Sequence, residues 1–308
     1  MSSKKGRKVS RKTAKKYFSS IGVFLILYAL GVLVLPYFLL AYLNMSGSII
    51  VSDPILYFGV YFLIILFGTM IPFFMMRKFV KMPLKKFNRN TDISFVDIFV
   101  QTTVFFTVCL ILTYVSNVIF SYLGLGDKLI SAIGFSFDEA YLDNALYVFM
   151  LIVVTPFIEE YAFRGVLLNA LGKYGKLFGL IASSLLFALA HVNFAEMIPA
   201  FAMGYFLGGT SLRYKSVQPA IVIHILFNLF IYALCVLPSN VAQYMSYGLV
   251  AIFLLAIFFV ISGKYQRVKI QTLKSSRVTN FLFYSRWSIL IAILLMIVST
   301  LLRTYLVL

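Results

Sequence analysis

Runs of about twenty apolar residues recur along this chain, separated by short polar and basic breaks. About twenty is the number a helix needs to cross a hydrocarbon core of roughly 30 Å. The pattern predicts nine membrane-spanning helices, near 17–44, 54–76, 97–124, 144–172, 177–193, 196–211, 217–237, 245–262 and 287–306. The fifth and sixth are short and share the polar hinge 193–199, so they could form a re-entrant pair. The expected fold class is therefore an all-α polytopic membrane protein, a helical bundle of about eight to nine transmembrane spans.

Composition sharpens that picture by exclusion. Hydrophobic residues make up 62% of the chain, and the longest break between spans is too short to carry a core of its own. A soluble domain is thereby excluded. Cys109 and Cys235 both fall within spans, where cysteine acts as a small hydrophobe, so no disulfide framework is expected. The first span is too long, and too far from a small-residue cleavage site, to be a removable signal peptide.

The net charge of +17 first suggests nucleic acid, but its placement argues otherwise. Basic residues cluster at 4–16, 77–89, 173–176, 213–215 and 264–286, which hold 24 of the 27 lysines and arginines. These are alternate breaks between spans, as the positive-inside rule requires. The N-terminus is then cytoplasmic and, with nine spans, the C-terminus external. The basic tail reads as a topology signal in contact with anionic lipid, and no nucleic-acid partner is expected.

The spans differ in content. The first three and the last two carry no acid or histidine in their interiors and read as lipid-facing scaffold. The four between 144 and 237 contain the intramembrane ionisable groups. In the sixth, Ala200, Gly204 and Gly208 recur every four residues, a small-residue stripe that lets helices approach closely. The organisation expected is a basic tail at 1–16, an N-terminal scaffold at 17–143, a chemically active core at 144–237 and a C-terminal scaffold at 238–308.

Three patterns in the core carry the chemistry. Glu159 and Glu160 are adjacent, with Arg164 four residues on. Charges inside a span are costly and rarely lack a function. On a helix Glu160 and Arg164 share a face and can pair, whereas Glu159 points about 100° away. Glu160 with Arg164 then forms a structural ion pair, leaving Glu159 as a general base. Next come Phe187 and His191, four apart on the fifth span. Last are His224 and Asn228, one turn apart on the seventh, the donors one would choose for an oxyanion hole. Assembled, Glu159 and His191 could deprotonate a water while His224 and Asn228 polarise a carbonyl.

Rival chemistries are weaker. Two histidines and a glutamate could bind catalytic zinc, but the HExxH helix is missing and no cysteine lies nearby, so no metal or other cofactor is expected. A serine protease of the rhomboid kind would need a G-x-S-G context, which does not occur. Residues 124–127 spell the GxGD pattern of presenilin-type aspartyl proteases, but Asp127 sits at a span end with no intramembrane aspartate to join it.

In combination, EExxxR, FxxxH and HxxxN on successive membrane helices resemble the CPBP family, the CAAX protease and bacteriocin-processing group also called the Abi family. The resemblance covers about 144–237. It implies a glutamate-type intramembrane endopeptidase in which Glu159 and His191 activate the water and His224 and Asn228 stabilise the oxyanion. Glu160 and Arg164 match its remaining polar positions. It further implies a hydrophobic or lipidated peptide or protein as substrate, with the bilayer as the other partner. Bacteriocin maturation, self-immunity or CAAX processing are the associated roles. Composition leans towards a bacterial plasma membrane. The alternatives are a non-proteolytic chaperone or regulator that keeps the fold, a metal-dependent variant of the same hydrolase, and a transporter relaying protons.

Overall fold

The computed structural model describes residues 11–82, 95–122, 145–262 and 277–306. The first ten residues of the basic tail, the 124–127 motif and much of the 264–286 basic cluster lie outside the described residues. The described residues form helices and contain no strand. The principal helices are α1 (Arg11–Val34), α2 (Leu35–Met45), α3 (Pro54–Phe79), α4 (Phe95–Tyr122), α5 (Ala145–Gly172), α6 (Lys176–Leu189), α7 (Phe194–Tyr214), α8 (Gln218–Val236), α9 (Ser239–Ile261), α10 (Arg277–Tyr284) and α11 (Trp287–Leu306).

Every expected span falls on a helix, but the spans are not equal. Among the described residues six helices, α1, α3, α4, α5, α8 and α9, contain stretches long and apolar enough to cross a membrane. The apolar helices Lys176–Leu189 and Trp287–Leu302 are shorter. At 1.5 Å per residue, the 14 residues of α6 reach only about 21 Å, short of a hydrocarbon core. The expected span 177–193 takes in His191 and Asn193, but the helix ends at Leu189. The stretch 17–44 likewise divides, with Pro36 in the first turn of α2. The molecule is a polytopic helical membrane protein.

Local sequence explains the helix ends. Asp53 caps α3, its Oδ1 accepting from the Ile55 and Leu56 amides at 2.9 and 3.1 Å. Pro54 sits in the first turn, where no amide hydrogen is needed, and Arg77 and Lys78 occupy the last, facing the negative end of the dipole. Asn193 caps α7 through its Oδ1, 3.0 Å from the Ala195 amide, and its Nδ2 donates to Glu196 Oε1 at 3.0 Å.

The small-residue stripe of α7 does what its spacing predicts. A Cβ at Gly204 would lie 2.9 Å from Ser184 Cα, and one at Gly208 would lie 2.6 Å from Leu180 Cδ1. These contacts run in opposite directions along the two helices, so α6 and α7 form a closely packed antiparallel pair. The basic ends also gather. Tyr17, Phe18, Phe79, Tyr174, Phe178 and Phe283 form one aromatic cluster. Beside it Lys173 Nζ donates to the Val80 carbonyl at 2.8 Å.

The outer spans also have an inward face. In α1, Phe18, Ile21, Leu25 and Tyr28 are buried, and in α4 so are Phe105, Phe106 and Cys109. Both helices pack on the core, α4 through Phe105 against Phe206 and Phe227. A helix that is apolar all round suits a protein neighbour as well as lipid, so composition could not separate the two. The α9 helix does expose Tyr244, Val250, Leu254 and Phe258, as a lipid-facing helix should.

Candidate functional site

The site is built on α5, and α5 is irregular where it matters. It widens into π-helical turns at Met150–Val154 and again at Glu160–Leu168, with Pro156 between them. Such turns insert a residue, shift the helix register and often occur at functional sites. Shifting register leaves backbone carbonyls without their usual donors. At the end of the second widening, Asn169 Nδ2 donates to the Arg164 and Gly165 carbonyls, both at 2.9 Å.

Glu160 begins that second widening and is fully buried. Its Oε1 lies 2.9 Å from Arg164 Nη1 and 3.0 Å from His224 Nδ1. The arginine contact is a close charge pair without hydrogen-bond alignment, since neither Arg164 Nη atom nor Glu160 Oε2 makes a hydrogen bond among the described residues. Arg164 is instead supported by the Phe187 ring, whose centre is 4.0 Å from the guanidinium carbon. The expected Glu160–Arg164 pair is therefore present, but it was assigned too little. Glu160 also orients a histidine from another helix, which spacing within one span could not reveal.

The neighbouring Glu159 differs in exposure. Its side chain is 28% exposed against 0% for Glu160, so it is the carboxylate that a substrate or water can reach. Its Oε2 lies 3.9 Å from His224 Nε2. The His224 ring is thus held between the two glutamates. A carboxylate only accepts, so the His224 Nδ1 facing Glu160 carries a hydrogen. Tyr28 of α1, which the sequence did not single out, lies within electrostatic reach of Glu159.

His191 lies just past the end of α6, in the turn that leads to α7. The next residue, Val192, has φ +55°, a left-handed conformation that a β-branched residue rarely adopts. Strain of this kind costs roughly 1–3 kcal/mol and tends to gather at functional sites. His191 Nδ1 is 2.9 Å from the Phe187 carbonyl. A carbonyl also only accepts, so Nδ1 carries the hydrogen, and in the neutral ring Nε2 is the accepting nitrogen. Phe187 joins the parts. Its ring is 4.7 Å from that of His191, 6.4 Å from that of His224 and 5.2 Å from that of Phe163.

Six of the seven expected residues, Glu159, Glu160, Arg164, Phe187, His191 and His224, form one contiguous cluster. Asn228 lies a turn beyond His224, and its Nδ2 donates to the Leu151 carbonyl of α5 at 3.0 Å. Among the described residues, no three His, Cys, Asp or Glu side chains are grouped to hold a metal ion. A second polar cluster escaped the sequence reading. Asp97 of α4 pairs with Arg213 of α7 at 2.7 Å, and Gln101 joins it by donating to Tyr214 Oη at 3.1 Å and accepting from Thr210 Oγ1 at 3.2 Å.

Fold and cluster together define a class: a polytopic membrane protein with a carboxylate, imidazole and guanidinium centre buried among its helices. Residues 141–230 match the model of a family described as Rce1-like, type II CAAX prenyl endopeptidase Rce1-like. The match agrees with the resemblance that the three motifs carry, and it contains all seven expected residues. It leaves α1 to α4 and α9 to α11 uncovered. No curated protein and no solved structure matches the chain.

Proposed function

We propose that this protein is an intramembrane endopeptidase of the glutamate type. It hydrolyses a peptide bond in a hydrophobic or lipidated, membrane-associated peptide or protein. The observation that carries the reading is the pair of adjacent glutamates with opposite surroundings: Glu160 locked between Arg164 and His224, Glu159 open and facing the other side of the same imidazole.

The reaction follows from these positions. Glu159 removes a proton from water, with the His191 Nε2 lone pair accepting the water's other hydrogen as a hydrogen bond. The hydroxide oxygen forms a bond to the scissile carbonyl carbon, whose π electrons move to oxygen. His224 and the second amide hydrogen of Asn228 stabilise that oxyanion. The intermediate collapses, the C–N bond breaks, and the proton held by Glu159 passes to the leaving nitrogen. No metal enters the scheme.

The match to a CAAX prenyl endopeptidase family model over 141–230 supports a substrate carrying a lipid. The gathering of basic helix ends supports an N-terminus on the cytoplasmic side, and we assign the protein to a bacterial plasma membrane. Maturation of an exported peptide or bacteriocin, self-immunity, or CAAX-type trimming is the biological role in view.

The test compares membrane-peptide N-termini in cells expressing wild type or Glu159→Gln at equal levels. Termini unique to wild type are expected, and they would identify the substrate. Identical termini in both would overturn the proteolytic reading. Cleavage by purified protein should also survive a zinc chelator, and loss of cleavage that zinc restores would replace this scheme with a metal-dependent one.

A further inference from the structure

We infer that Asn228 is a positioning residue. It sets the register of Glu159 and Glu160 by closing a backbone gap in α5 that the helix cannot close itself. The gap follows from two features of the sequence. Where α5 widens at Met150–Val154, the Thr155 amide donates to the Met150 carbonyl, five residues back. In an ordinary α-helical register that amide would have served Leu151. In the widened register Leu151 would instead receive the amide hydrogen of residue 156, which is a proline and has none. The Leu151 carbonyl therefore has no helical donor in either register.

Asn228 supplies one from α8, its Nδ2 3.0 Å from the Leu151 oxygen. Asn169 repairs the second widening from within α5, whereas Asn228 repairs the first from a different helix. That difference has a mechanical consequence. Asn228 and His224 are one turn apart on α8, and they grip α5 on opposite sides of Pro156, at Leu151 and at Glu160. The direction in which Glu159 leaves the proline-broken helix is fixed by these two attachments. An amide nitrogen carries two hydrogens, so the bond to Leu151 leaves one for the oxyanion role proposed above. The activity arm of the test rests on that proposal, and the stability arm does not.

The two roles separate through Pro156. Replacing it with alanine gives residue 156 an amide hydrogen, so the helix can satisfy Leu151 from its own backbone. We therefore compare purified full-length wild type, Asn228→Ala, Pro156→Ala and the double variant, by thermal unfolding in detergent and by kcat and KM on the substrate identified above. Asn228→Ala is expected to lower Tm by about 3–6 °C in the wild-type background and by less than about 1 °C in the Pro156→Ala background. In parallel, its loss of kcat should shrink at least tenfold when Pro156→Ala is present, with KM little changed. Equal losses in both backgrounds would overturn the inference and leave Asn228 with the oxyanion role alone. If Asn228→Ala does not fold, recovery of folded protein on adding Pro156→Ala is the supporting result, and failure to recover is the overturning one. If wild type cleaves nothing, the proteolytic reading fails, while the unfolding data still decide the positioning role.

Discussion

The helices α5 and α9 are both long and apolar enough to cross a membrane, yet the bundle uses them in opposite ways. In α5, 44% of the most apolar window is buried inside the molecule, against 6% in α9. The α9 side chains Leu254 and Phe258 face outward, about 60% exposed. The α5 helix carries Glu159, Glu160 and Arg164 among residues that are almost all buried. A lipid-facing helix must satisfy all its backbone groups internally and can afford no charge. A helix enclosed by protein can be widened, broken at a proline and charged, because neighbours supply the missing partners. Its irregularity depends on those neighbours: Asn228 on Leu151, His224 on Glu160, Phe187 beneath Arg164.

The contrast can be broken most sharply at Glu159. In the proposed enzyme, Glu159→Gln removes the base without removing any buried partner, so kcat should fall by about 10²–10⁴ or more with little change in Tm. Single-turnover cleavage and thermal unfolding of the same preparation check both halves. A large drop in Tm would mean that Glu159 is part of the support rather than the chemistry.

Glu160→Ala should show the reverse emphasis. It strands Arg164 and His224 without their shared carboxylate in a buried site and should cost about 3–5 kcal/mol of stability. Unfolding of the detergent-solubilised protein reads this, and an unchanged stability would show that the cluster holds nothing together. The same logic applies less strongly to packing. Gly204→Leu drives a side chain into the Ser184 backbone, and the resulting overpacking should cost about 1–3 kcal/mol. At the bottom of the scale, Leu254→Val on the outer face of α9 should change stability by no more than about 0.5 kcal/mol. A larger loss there would mean that α9 faces a partner rather than lipid.

Several of these features were legible in the chain alone. Charges at four-residue spacing in an apolar run put Glu160 beside Arg164, and the small-residue stripe marked the face of α7 that a neighbouring helix approaches closely. Both are helix-periodicity arguments, and both concern residues on one helix face. The bond from His224 to Glu160 joins residues 64 apart on different helices, and no periodicity carries it. The Asp97–Arg213 pair was missed for the same reason, with its members 116 residues apart on different helices. The expected 177–193 span runs past the end of its helix at Leu189, because hydropathy reports a preference for lipid or protein interior and does not mark where backbone hydrogen bonding stops.

By itself the sequence determined that this protein is helical, lives in a membrane and concentrates its intramembrane ionisable groups in one third of its length, since those properties depend on composition and short-range spacing. Only the tertiary structure decided which glutamate the His224 ring bonds. That choice depends on where α8 lies against α5: the imidazole it delivers meets Glu160 at 3.0 Å and stops 3.9 Å from Glu159, and a difference of less than 1 Å between neighbouring residues is a property of packed helices rather than of residue order.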